Sequence, residues 1–81
     1  MKKYTDPDNQ RYVYYIRETL NGYAIQVLNV ARDERYPMTP SIAGQCGLQL
    51  PDGFVCHACA KATAEAELER LAKENGLVAI E

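Results

Sequence analysis

The sequence predicts an α+β domain: a small, mainly antiparallel sheet in the order β-β-irregular-β-α-β, with one long amphipathic helix packed on one face. Two segments carry that prediction. Residues 11–31 are dense in β-branched and aromatic side chains, broken by Asn21-Gly22, the dipeptide best suited to the two φ > 0 positions of a type I′ hairpin turn. Residues 58–75 are rich in Ala, Glu, Leu, Lys and Arg, and Ala60, Ala64, Leu68, Leu71 and Ala72 recur on one face at helical spacing. With 81 residues in all, there is material for one hydrophobic core and no second domain.

In chain order, residues 1–10 are polar and turn-forming, and they are expected to be a flexible N-terminal arm ahead of a single domain over 11–81. A two-residue Asn21-Gly22 turn then sets Leu20 opposite Tyr23. It pairs Glu18 with Ile25, Ile16 with Val27 and Tyr14 with Asn29 on one face. The other face pairs Arg17 with Gln26, Tyr15 with Leu28, Val13 with Val30 and Arg11 with Arg32. Residues 32–53 are expected to be mostly irregular, except that Thr39-Pro40 reads as an N-cap with Pro at the first helical position and Gly47 as a left-handed stop. Pro51-Asp52-Gly53 marks a turn, and Phe54-Val55-Cys56 reads as a short strand. The helix ends at Asn75-Gly76, Leu77 folds back on its last turn, and Leu77-Val78-Ala79-Ile80 forms a final strand.

Composition narrows the function. Nine basic and eleven acidic residues leave a net charge of −2, too little cationic field to hold a nucleic acid by its backbone. No stretch approaches the ~20 apolar residues that span a bilayer. Lys2 and Lys3 have no apolar run behind them that would make a secretory signal, so a soluble, cytoplasmic protein is expected. Three cysteines are an odd set for a disulfide framework and read as reduced thiols.

Cys56-His57-Ala58-Cys59 is the one cluster with a recognisable chemical spacing. Two thiols three residues apart can grip a metal, but a closed zinc site needs four ligands, and only Cys46 and His57 remain to join Cys56 and Cys59. The expectation is therefore no cofactor, with zinc on Cys46, Cys56 and Cys59 as the alternative. The same four residues resemble the active-site segment of thioredoxin-type oxidoreductases. That likeness covers four residues, Val55 stands before the first Cys, and no helix precedes the hairpin as that fold requires, so it assigns no role here. The single histidine, His57, is badly placed to serve a neighbouring thiol, and there is no phosphate-binding glycine loop. A non-catalytic protein is expected.

Tyrosine is the remaining signal: six in the chain, with Tyr12, Tyr14, Tyr15 and Tyr23 in the hairpin beside Arg11 and Arg17. One helix can cover only one face of the sheet. The other would present Val13, Tyr15, Leu28 and Val30 as an apolar centre ringed by Arg11, Arg17 and Arg32, with Arg35 and Tyr36 extending it along the next segment. Tyr and Arg dominate the anchors of protein interfaces. The chain thus reads as a small non-catalytic binder that occludes or regulates a larger protein, or pairs with a second copy. In size, mild acidity and lack of catalytic groups it resembles the small inhibitors that phages encode against bacterial defence systems, anti-CRISPR proteins among them, a likeness of type rather than of motif. The alternative is a zinc- or nucleic-acid-associated module built on the cysteines and the hairpin tyrosines.

Overall fold

The computed structural model describes residues 2–80. Strands β1 (Lys3–Asp6), β2 (Asn9–Thr19), β3 (Gly22–Asn29) and β4 (Glu34–Pro37) are followed by helix α1 (Pro40–Gln45), helix α2 (Lys61–Asn75) and strand β5 (Val78–Ala79). The strands form one five-stranded sheet in the order β4-β3-β2-β1-β5, antiparallel throughout. The expected α+β class, with one long helix on one face of an antiparallel sheet, is what forms.

The alternation of the hairpin sorts its side chains as expected. Tyr12, Tyr14, Ile16, Ile25 and Val27 are buried on the helix side, where they meet Leu68 and Leu71 of α2, Ala43 of α1, Met38 and Leu77. Tyr14 and Leu71 are completely shielded from solvent. Tyr23 is half-buried against this cluster. Val13, Tyr15 and Leu28 alternate with these residues and lie on the opposite face, which no helix of the described residues covers.

The pairing within the hairpin differs from the expected one by two residues. Thr19 pairs with Gly22, Ile16 with Ile25, Tyr14 with Val27 and Tyr12 with Asn29. The loop is therefore Leu20-Asn21 rather than Asn21-Gly22. Thr19 closes it locally: its Oγ1 accepts from the Asn21 N–H at 3.2 Å and donates to the Gly22 carbonyl at 3.0 Å. Gly22, with φ of 133°, is used elsewhere, because an added Cβ would stand 2.6 Å from the Cys59 carbonyl oxygen. A slip of one residue would have exchanged the faces; a slip of two leaves every side chain on its expected side.

Three other expectations are corrected. Residues 3–6 are not a loose arm, since β1 pairs with both β2 and β5, and Tyr4 and Thr5 are buried. The turn Asp6-Pro7-Asp8 makes this possible: the Asp6 carboxylate accepts from the Asp8 N–H at 2.9 Å, and β2 starts one residue later. Met1 lies outside the described residues. Residues 34–37, read as irregular, form β4 on the outer edge of β3. The Val30–Asp33 turn leads into it, with Asp33 in the left-handed region at φ of 51°, a conformation Asp tolerates better than most residues. Phe54-Val55-Cys56 is not a strand; pairing in this region comes from a single bridge between Cys59 and Tyr23.

The helix ends behave as read. Thr39 caps α1, its Oγ1 accepting from the Ile42 N–H at 3.2 Å, with Pro40 at the first helical position. Gly76 closes α2 in the left-handed region, and the Leu77 N–H reaches back to the Ala72 carbonyl while the Leu77 side chain is buried. The helix begins at Lys61 rather than near Ala58, because Cys59 is held in an extended bridge to β3.

Gly22→Val should lower stability by about 2 kcal/mol or more, since the side chain meets backbone that cannot swing aside and is forced to a positive φ. Denaturant unfolding measures this, and an unchanged midpoint would contradict the close approach.

Candidate functional site

Strand pairing places the open face residue by residue. Val13 lies between Leu28 of β3 and Thr5 of β1, and Tyr15 lies between Gln26 and Lys3. Arg35 of β4 continues the Val13 row beyond Leu28, and Val78 of β5 continues it beyond Thr5. Arg17 pairs with Ala24 one row further along. Arg11 stands at the far end of β2, where its carbonyl accepts the Val30 N–H at 2.8 Å. The centre of the face is half-buried through mutual side-chain packing, whereas Val78 and Val30 at its margins are about half exposed.

Two contacts fix the ring at the centre. The Tyr15 hydroxyl donates to Gln26 Oε1 at 2.8 Å, and the Lys3 ammonium stands 5.9 Å from the ring centroid. A cation over a tyrosine face is favourable, and the hydroxyl bond further restrains where the ring lies. Tyr15 is thus a positioned aromatic rather than a free one.

Of the expected partner-binding residues, the structure brings Arg11, Val13, Tyr15, Arg17, Leu28 and Arg35 to this face. Val30 lies beyond the end of β3 at the margin. Arg32 sits in the β3–β4 turn, where its N–H is held by Asn29 Oδ1 and its side chain pairs with Glu34 at 3.3 Å. Tyr36 is opposite Val27, hence on the helix side, and its hydroxyl donates to Glu34 Oε1 at 2.6 Å. Sequence reading missed Lys3, Thr5 and Val78, which join the face only because β1 and β5 add to the sheet. The signal for β1 was the Asp6-Pro7-Asp8-Asn9 turn sequence following Tyr4-Thr5.

The three cysteines are separated by role. Cys46, buried at the end of α1, is hydrogen-bonded to Tyr14; burial pushes its thiol up, and the Tyr14 contact opposes part of that. Burial raises the Tyr14 phenol far above its usual range, with Cys46 adding to the effect. Cys56 is raised by burial and by the nearby Glu67 carboxylate. Cys59 donates its thiol weakly to the Tyr23 carbonyl at 3.6 Å, but its main engagement is through the backbone, with reciprocal N–H···O bonds to Tyr23 of 2.8 and 2.9 Å. Among the described residues, no three His, Cys, Asp or Glu side chains converge as a metal-binding group.

Glu67 and Arg70 explain how the Cys56 segment is anchored. Glu67 is buried on α2, accepts the Val55 N–H at 3.0 Å and is paired with Arg70, which also donates to the Asp52 carbonyl at 2.7 Å. Asn75 secures the start of the same loop by exchanging two 2.8 Å hydrogen bonds with the Gln49 backbone. On the helix side, a groove of about 750 Å³ runs between α2 and strands β1 and β2. Its floor is Tyr4, Ile16 and Leu68 and its rim Lys2, Glu65 and Glu69, so it holds neither a thiol nor an imidazole.

Raised acid groups give a definite sign of pH dependence. Above about pH 8.5 the unfolded thiols lose protons that folded Cys46 and Cys56 still hold, so the contribution of these two groups is constant below that pH and lowers stability as pH rises through it. Thermal melts from neutral to strongly alkaline pH check this, and a melting temperature that rose with pH would contradict it. If the cysteines are purely structural, a chelator should leave the melting temperature unchanged; a structural zinc contributes on the order of 10 kcal/mol, so its loss would be obvious.

Among the described residues no helix is long and apolar enough to cross a membrane. In comparisons with known proteins, no family model, no curated protein sequence and no solved structure matches this chain.

Proposed function

We propose that the chain is a small non-catalytic protein-binding module that grips its partner with the open face of its sheet, centred on Tyr15. The observation that carries this reading is the one-sidedness of the fold. Both helices pack on the side of Tyr14 and Val27, while Val13, Tyr15 and Leu28 form an aliphatic and aromatic centre on the side that, among the described residues, no element covers. A sheet face with an apolar centre and polar margins has the layout of a binding surface. The fixed orientation of Tyr15 lowers the entropy cost of using it as an anchor.

The chemistry elsewhere in the chain favours binding over catalysis. Burial keeps the Cys46 and Cys56 thiols protonated near neutral pH, which makes them poor nucleophiles. His57 is exposed on the loop before α2. The action that follows from such a surface is occlusion: the module covers a site on a larger protein, as small phage-encoded inhibitors do, without altering it covalently.

The test is site-specific photocrosslinking in the native host, with the crosslinker placed at Tyr15 or, as a control, at Thr63 on the exposed side of α2. A protein captured from position 15 and not from position 63 supports the reading; capture from 63 alone, or from neither, removes it. Against the captured protein, Tyr15→Ala should weaken binding by about 2 kcal/mol or more with the fold intact by circular dichroism. Arg17→Glu should chiefly slow association and change its salt dependence.

A further inference from the structure

The charges of the open face are segregated from those of the rest of the chain. Although the chain carries a net charge of −2, the charged strand positions on this face are Lys3, Arg11, Arg17 and Arg35, all cationic. Arg35 is balanced by Asp33 at 3.2 Å. Among the described residues, Arg11 and Arg17 have no acidic partner.

Those two arginines bracket the apolar centre along one strand in the alternating order Arg11, Val13, Tyr15, Arg17. At ~3.3 Å of rise per residue they stand roughly 20 Å apart, and an α-helix of about thirteen residues covers the same length. Resting on the proposed binding role of this face, we propose that its occupant is an acidic amphipathic α-helix of another protein, laid along β2 with carboxylates at Arg11 and Arg17 and its apolar stripe over Val13, Tyr15 and Leu28.

Three arguments select a helix with acidic flanks over other occupants. An extended segment needs backbone partners, which a sheet offers at its edges and not on its face, whereas a helix satisfies its own backbone. A second copy docked face to face would set Arg11 and Arg17 of one chain against the same cations of the other, with like charges opposed across the contact. A single-stranded nucleic acid needs open aromatic faces for stacking, yet Tyr15 is the one aromatic ring at the centre of this face, and Lys3 stands over it. Helix on sheet is also how the chain covers its opposite face, so the bound helix completes a second outer layer.

The experiment uses two synthetic helical peptides of about fifteen residues with the same leucine stripe, one flanked by Glu and one by Lys, together with a single-stranded oligodeoxythymidine. Affinities are measured at low and high salt, and backbone amide shifts locate the contact. The Glu-flanked peptide should bind the wild-type chain about tenfold more tightly than the Lys-flanked one, weaken as salt rises, and shift Val13, Tyr15 and Leu28 rather than α2. The variant R11E/R17E should invert the preference between the peptides, and R11A/R17A, which adds no new charge, should abolish it. Equal affinity for the two peptides, shifts confined to the α2 groove, tighter binding of the oligonucleotide, or no binding at all would each overturn the acidic-helix assignment. If that happens while crosslinks from position 15 still capture a protein, the face remains a protein-binding surface with a different occupant; if those crosslinks are also absent, the binding role itself fails.

Discussion

The backbone of Cys59 lies so close to Gly22 that no side chain fits between them, and much of the fold depends on that approach. Two N–H···O bonds to Tyr23 hold the Cys56–Cys59 segment on the outer edge of β3, in line with β4 and with Met38, whose N–H donates to the Ile25 carbonyl. The edge of β3 is thus completed by residues from two distant parts of the chain. Because the bridge sits two residues before α2, it also sets where that helix begins and brings Ala64, Leu68, Leu71 and Ala72 down onto the hairpin. The Glu67 and Arg70 contacts from the helix to residues 52 and 55 tighten the same loop from the other side.

This explains why the hairpin was legible in its faces and not in its pairing. Alternation of apolar residues is a local property, so Tyr14 and Ile16 could be separated from Val13 and Tyr15 without knowing the partner strand. Register is decided by the turn, and Asn21-Gly22 carried a strong local signal for the wrong one: the loop is Leu20-Asn21, and Gly22 stands at the start of β3, where its φ of 133° and the approach of Cys59 both call for glycine. The two helix boundaries governed by caps, Thr39-Pro40 and Gly76-Leu77, were legible for the opposite reason: the groups that stabilise them are neighbours in sequence.

The candidate site divides along the same line. Its centre came from the hairpin pattern alone. Lys3 and Thr5 join it through the β1–β2 pairing that the Asp6-Pro7-Asp8 turn sets up, whereas Val78 depends on β1 and β5 meeting each other, a pairing between chain segments more than seventy residues apart that no local pattern announces. Arg32 was placed on the face by the expected pairing with Arg11, which the two-residue shift of register removes; Tyr36 was placed there as part of an irregular continuation, and once Glu34–Pro37 forms a strand, alternation sends it to the helix side. The cysteine pair was the most conspicuous chemical pattern, yet Cys59 is held mainly by main-chain atoms, and burial, with the Glu67 carboxylate adding to it, pushes the Cys56 thiol up.

The sheet's two outer strands are short. β4 has four residues and ends in Pro37, and β5 has two, so each border presents only a brief ladder of unsatisfied main-chain groups. A proline also interrupts any attempt to extend pairing past the end of β4. Open sheets commonly recruit unrelated strands at their borders and grow into insoluble assemblies, and truncated or proline-bearing borders suppress that growth. The broad face this protein leaves uncovered among the described residues is therefore made of side chains, while the borders that could template strand addition are kept short.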